Sequence, residues 1–214
     1  MHFPSQEEQQ QAKPAHQATK KMIDVLFGFE HSAEVIAALL VLLSIVLATL
    51  FTHEGWFPTS QSLGMSNYHR WLYDQFVVVS GVLVLVVYLR VKQQGSNPDF
   101  RQAWKGYIDA NAQFKLYRYI KAQQKNKLPL LHSAVGEYLC VLFCCVGFVC
   151  FYSLLMPSDH ERRGNFLLLG WWPINALIIG ICYYAQIWFA IRLMAVGEIS
   201  TRYFALIEKE AALR

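Results

Sequence analysis

The sequence predicts an all-α integral membrane protein in which four transmembrane helices cross the bilayer. Four long apolar stretches occupy Ser32–Thr52, Trp71–Val91, Val135–Met156 and Asn165–Val196. Each has the roughly 20 residues that a helix needs to cross a hydrocarbon core of about 30 Å. The chain is 55% hydrophobic but also 16% charged, so a large part of it must lie outside the bilayer.

The distribution of Lys and Arg orients the chain. Residues 92–131 carry eight Lys or Arg against two acids, whereas residues 53–69 carry no Lys or Arg. Basic residues near span ends stay on the cytoplasmic side. Both chain ends are therefore expected in the cytoplasm. The predicted order is a cytoplasmic tail (1–31), a transmembrane hairpin (32–91), a basic cytoplasmic loop (92–134), a second hairpin (135–196) and a cytoplasmic helix (197–214).

The elements of the first half follow from local signals. The start, Gln6–Gln11 followed by Lys13 and Pro14, is Gln-rich and has no apolar period, so a disordered tail is predicted there. No cleavable signal segment is expected. Ser32 is a plausible cap for the first span, with Glu34 near the positive end of that helix. Arg90 and Lys92 mark the cytoplasmic end of the second span.

The basic loop contains a strong helix-start signal. Asn97 is placed to cap a helix whose first residue is Pro98, and Asp99 falls in its first turn. Aromatic and apolar residues follow on one broad face, although Lys115 and a second basic residue interrupt it. This pattern predicts an amphipathic helical insertion that lies on the lipid surface or packs beneath the bundle. The candidate partner-binding residues on it are Trp104, Tyr107, Ile108 and Tyr119.

Polar residues in the second hairpin are the other candidates. Glu137 lies near the cytoplasmic end of span three, where an ionisable group is either an anchor or a functional residue. In span four, Asn175 and Gln186 are almost three turns apart and share a face. Ala176 and Gly180 form a pair of small residues beside that face, which favours close helix packing. Interhelical hydrogen bonding or a polar pathway would account for these residues.

No pattern indicates a catalytic, metal or cofactor site. The five cysteines all lie in predicted spans and are expected to be packing residues. The chain has no Gly-rich phosphate loop, no HExxH helix and no nucleophile elbow. The outer loops also lack the cysteine pairs that a membrane thiol oxidase would need. We therefore expect a protein that is not an enzyme and has no cofactor.

The expected function is protein–protein interaction in a membrane, and the bacterial inner membrane is the expected location. Accessory or exclusion factors of secretion and conjugation machinery have this size and topology. The similarity is one of size and topology only and includes no sequence motif. Expected partners are membrane lipid and another membrane or cytoplasmic protein, or a second copy of the chain. Nucleic acid is not expected, because topology and anionic lipid explain the basic loop.

Two alternatives remain open from the sequence. A small transporter or channel subunit would use the polar residues of span four as part of a pathway. A b-type haem protein would need paired histidines at matching depth, and only span-end histidines such as His53 and His69 are present.

Overall fold

A computed structural model describes residues 6–50, 67–124, 134–155 and 172–212. Within these ranges the chain forms six helices and no strand, which confirms the predicted all-helical class. The helices are α1 (Gln6–Phe27), α2 (Ser32–Leu50), α3 (Asn67–Gln94), α4 (Pro98–Gln124), α5 (Ala134–Leu155) and α6 (Trp172–Ala212).

Two of these helices contain a continuous segment that is long and apolar enough to cross a membrane. The segments are Asp74–Gln94 in α3 and Ile178–Ala212 in α6. The number of crossings rises to three if α1 and α2 are counted together as one broken span. The described residues therefore support two or three crossings, and the fourth stays a prediction.

The contacts divide the chain into two compact units. Unit 1 comprises Met1–Ser32, Tyr88–Leu142 and Ile191–Arg214. Unit 2 comprises Ala33–Val87 and Phe143–Ala190. Unit 1 thus takes in α1, α4 and the adjoining ends of three other helices, whereas unit 2 takes in most of the apolar stretches.

In unit 1, α1 packs against α4, so the prediction of a disordered N-terminal tail is wrong. Gln, Glu, Lys and Ala are strong helix formers. The buried side chains of α1 recur with helical spacing and form one face: Ala15, Thr19, Met22, Ile23 and Leu26. Full burial of an aliphatic side chain as large as Leu26 contributes about 1.5–3 kcal/mol. This apolar face holds an otherwise polar segment in place.

The junction between α1 and α2 is a tight, hydrogen-bonded turn. Gly28 has a φ of 87° and donates its N–H to the Asp24 carbonyl at 2.8 Å, which ends α1. The Asp24 carboxylate accepts bonds from both the N–H and the hydroxyl of Ser32, each at 2.9 Å. These bonds satisfy polar groups where α2 begins.

The predicted start of α4 is confirmed. The helix begins at Pro98, and the side-chain oxygen of Asn97 accepts the Asp99 N–H at 3.0 Å. The other long element, α6, is a single helix of 41 residues, about 62 Å at 1.5 Å per residue. Pro173 is the second residue of α6, where proline is tolerated without a kink.

In unit 2, a glycine brings α2 and α6 close together. A Cβ at Gly180 would lie 2.1 Å from Cγ2 of Val41 and 3.8 Å from the Ala37 carbonyl oxygen. On α3, the Phe76 ring stacks on the Tyr183 ring of α6, with centroids 5.5 Å apart. These contacts fix both helices against α6.

The outward faces of unit 2 are apolar. Exposed residues follow one another at helical spacing on α2 (Val35, Leu39, Leu42, Leu43, Val46) and on α3 (Val78, Val82, Leu85, Val86). A contiguous apolar surface of this kind marks contact with a membrane or a partner. It agrees with the membrane-crossing segments found in the same part of the chain.

Candidate functional site

A buried charge cluster connects three helices of unit 1. It consists of Lys115 on α4, Glu137 on α5 and Arg192 on α6, whose side chains are 10%, 5% and 13% exposed. Lys115 Nζ lies 2.6 Å from Oε2 of Glu137, and the Arg192 guanidinium donates to Oε1. Each carboxylate oxygen of Glu137 therefore has its own cation.

Asn111 holds the Arg192 side of the cluster. Its side-chain oxygen accepts a bond from Nη1 of Arg192 at 2.7 Å, and its Nδ2 donates to the Tyr107 carbonyl at 2.8 Å. Tyr107, Asn111 and Lys115 are each four residues apart, so they lie one above another on the same face of α4. One stripe of α4 thus carries the contacts of this charge cluster to α5 and α6.

Residues of α6 hold the Lys115 side. The Lys115 ammonium lies 3.3 Å from the Ser200 hydroxyl and 4.9 Å above the centre of the Tyr203 ring. A cation over an aromatic face is stabilised by the quadrupole of the ring. These contacts satisfy the ammonium in a place where water has little access.

The Tyr107 hydroxyl lies within the electrostatic field of the cluster. The residue is 0% exposed, and its hydroxyl oxygen has no hydrogen-bond partner in the part of the chain that the structure describes. Burial raises the pKa of this phenol above its ordinary value, and the neighbouring Arg192 opposes that shift. The phenol is therefore neutral beside the Arg192 guanidinium, and its proton has no acceptor among the described residues.

The structure brings two residues together with Glu137 that the sequence pattern had not linked to it. Nothing in the sequence pattern connected Arg192 to Glu137, and Lys115 stood out only because it interrupts the apolar face of α4. The interruption is the informative signal, because a lysine on a buried helix face needs a buried acid. Asn111 and Ser200 were missed. The one signal for Asn111 was its position four residues after Tyr107 and four residues before Lys115.

The candidate partner-binding residues are divided between core and surface. Tyr107 and Ile108 are buried in unit 1. Trp104 is partly exposed and donates its indole N–H to Glu198 of α6 at 3.0 Å. Tyr119 is partly exposed and packs edge-on against Tyr203, with ring centroids 6.1 Å apart. Binding of a partner by these four residues stays a prediction, and only Trp104 and Tyr119 reach the surface.

The candidates in span four lie in unit 2. Gly180 is buried at the contact with Val41, and Gln186 is 2% exposed. The side chains of Asn175 and Ala176 lie outside the described residues, so their predicted face with Gln186 stays a prediction. Among the cysteines, Cys182 is buried and Cys140 is partly buried, as expected of packing residues.

Within the described ranges, no three His, Cys, Asp or Glu side chains come close enough to hold a metal ion. The charge cluster instead offers two cations, one carboxylate and a phenol donor. No protein-family model, curated protein or solved structure matches this chain.

Proposed function

We propose that this chain is a non-enzymatic, multi-pass membrane protein that acts by binding another protein. An accessory or exclusion factor of a secretion or conjugation machinery is the kind of protein that fits this format. In this proposal four helices cross the bacterial inner membrane, and both chain ends and the basic loop 92–134 lie in the cytoplasm. The apolar outward faces of unit 2 and the basic residues of segment 92–131 support that arrangement.

The observation that carries the proposal is a basic aromatic patch on α4, formed by Arg101, Trp104 and Lys105. Arg101 and Lys105 are exposed, and Trp104 is partly exposed. Arg101 Nε donates to the Gly95 carbonyl at 2.8 Å, which holds the side chain in place. Trp and Arg are the residue types that contribute most to protein interfaces. A partner with an acidic surface has the complementary charge.

The charge cluster supports the same proposal by fixing the shape of unit 1. It links α4 to α5 and α6 through side chains that are nearly buried. A surface patch on a rigid helix loses less conformational entropy on binding than a patch on a mobile loop. The basic aromatic patch is therefore presented in an ordered state.

Partner binding is tested by charge reversal on the patch. A photo-reactive residue is placed at Gln102, and the protein cross-linked in cells is identified by mass spectrometry. We expect Arg101→Glu/Lys105→Glu to lower the yield of this product at least several-fold. The matched control is Lys13→Glu/Lys21→Glu, which makes the same charge change at exposed positions of α1. Equal yields from the two double variants would contradict binding through the patch.

The membrane arrangement needs its own test. A reporter enzyme that is active only outside the cytoplasm is inserted within residues 53–69 and, separately, directly after Gly95. Activity is expected only for the first insertion, because residues 92–131 carry the basic charge. Activity of the second insertion would contradict the proposed orientation.

A small transporter or channel subunit is the second candidate, and the interior of unit 2 favours it. Asp74, Gln75, Ser80 and Gln186 are all at most 5% exposed in otherwise apolar helices. Buried polar groups in membrane helices often mark a pathway for ions or protons. Proton or ion flux into vesicles that Asp74→Asn abolishes would favour this candidate, whereas absence of flux from the reconstituted protein would oppose it.

A further inference from the structure

The charge cluster has an unbalanced charge. Two cations, Lys115 and Arg192, contact one carboxylate, that of Glu137, which leaves a net charge of +1. No second carboxylate among the described residues contacts either cation. An excess charge in a place with little access to water is unfavourable unless an opposite charge accompanies it. The cluster is therefore suited to an anion.

Two hydrogen-bond donors at the cluster are available to the same anion. Arg192 donates to Asn111 and to Glu137 and interacts with the Tyr107 hydroxyl, which leaves other N–H groups of the five on the guanidinium for an anion. The Tyr107 hydroxyl has no acceptor within the described residues although it is fully buried. A buried donor without an acceptor is costly, and an anion next to Arg192 would supply one.

The cluster lies next to an apolar surface that is typical of contact with lipid. Glu137 is in the first turn of α5, and Val135, Tyr138 and Leu139 around it are 69%, 45% and 57% exposed. Glu137 itself points to the protein interior, where it is 4% exposed. Basic pockets between membrane helices, at the cytoplasmic side, bind phosphate-containing lipid head groups.

We infer that Arg192, Lys115 and Tyr107 form a binding site for a phosphate group. The guanidinium binds two phosphate oxygens at once, which an ammonium does not do. Lys115 adds charge, and the Tyr107 hydroxyl donates to a phosphate oxygen. The phosphate is carried either by an anionic phospholipid or by a free anion. This site shares no residue with the basic aromatic patch.

The test uses the full-length chain in a phosphate-free detergent solution. The thermal unfolding midpoint is followed while phosphatidylglycerol, phosphatidylcholine or inorganic phosphate is added. We expect phosphatidylglycerol to raise the midpoint and phosphatidylcholine not to raise it. Tyr107→Phe should weaken the binding about tenfold, as expected for one hydrogen bond to a charged acceptor. The control is Tyr117→Phe on the same helix, where Lys121 already donates to the Tyr117 hydroxyl at 3.3 Å.

The outcomes separate the sources of the phosphate. In one outcome, inorganic phosphate and phosphatidylglycerol raise the midpoint equally, and Tyr107→Phe weakens both rises. That result would support the site, with a free anion as its ligand. No rise of the midpoint with either ligand would overturn the inference, and so would equal affinities of Tyr107→Phe and the unmodified chain. If Tyr107→Phe does not fold, Arg192→Lys keeps the charge without the guanidinium. Unchanged affinity of that variant would also overturn the inference.

Discussion

The contact between α2 and α6 at Gly180 gives the sharpest prediction. Substitution Gly180→Ala adds a Cβ that would lie 2.1 Å from Cγ2 of Val41. Ordinary van der Waals contact begins at 3.4 Å, so the two atoms must separate by about 1.3 Å. Valine has a single strongly preferred rotamer in a helix, so Val41 cannot rotate away without cost. The strain therefore falls on the packing of two helices.

The expected magnitude follows from this displacement. Adding a methyl group to a well-packed helix contact costs about 1–3 kcal/mol. For a chain of this size, 1 kcal/mol corresponds to about 2–4 °C, which predicts a fall in the unfolding midpoint of about 2–12 °C. The assay is thermal unfolding in detergent, followed by near-UV circular dichroism. The matched control is Gly81→Ala, because a Cβ at Gly81 meets nothing within 4 Å.

The control should move the midpoint in the opposite direction. Alanine in place of an exposed helical glycine is expected to stabilise by about 0.5–1 kcal/mol. The double variant Gly180→Ala/Val41→Ala removes Cγ2 and leaves the Val41 Cβ at 3.6 Å, an ordinary contact. Its loss of stability should be smaller than the sum of the two single losses by about 0.5–3 kcal/mol. Additive losses, or stabilisation by Gly180→Ala, would refute the close contact.

Three further predictions concern unit 1. Glu137→Gln leaves two nearly buried cations without their acid, so the free energy of unfolding should fall by about 3–5 kcal/mol in a thermal unfolding assay. The control is Asp109→Asn, which breaks the exposed pair with Arg202 and should lower the free energy of unfolding by less than about 1 kcal/mol. Tyr107→Phe removes a buried hydroxyl without an acceptor, so without added anion it should be equally or more stable, by up to about 1–3 kcal/mol. Because the pKa of Tyr107 is raised in the folded chain, the unfolded chain loses the phenol proton first as pH rises above 10, and the folded state loses stability. Tyr107→Phe has no such proton. Its free energy of unfolding, measured from pH 8 to 11, should therefore rise relative to that of the unmodified chain. Asn97→Ala removes the cap of α4, so the free energy of unfolding in the same assay should fall by about 0.5–2 kcal/mol. Asn97→Asp keeps a capping oxygen and should keep that stability.

The two units differ in how far the sequence anticipated them. The apolar stretches predicted the helices of unit 2, because a run of apolar residues is itself the signal for a membrane helix. In unit 1, the amphipathic α1 was missed although Ala15, Thr19, Met22 and Ile23 have helical spacing. These residues are few and are separated by polar ones, so the pattern is weak in the sequence. They form a buried face only because α4 packs against them. Tyr107 and Ile108 were predicted to face a partner but are buried in unit 1. The sequence does not separate these two cases, because apolar residues occur both in interfaces and in cores.

The sequence by itself determined the all-helical class and the start of α4 at Asn97, because both depend on hydropathy and on bonds between residues that are close in the chain. Only the tertiary structure decided that Lys115 and Arg192 meet Glu137, 22 and 55 residues away. It also decided that Gly180 meets Val41. The physical reason is that a charge or a small residue specifies what its neighbour must be. It does not specify which residue that neighbour is, and that depends on how the helices pack.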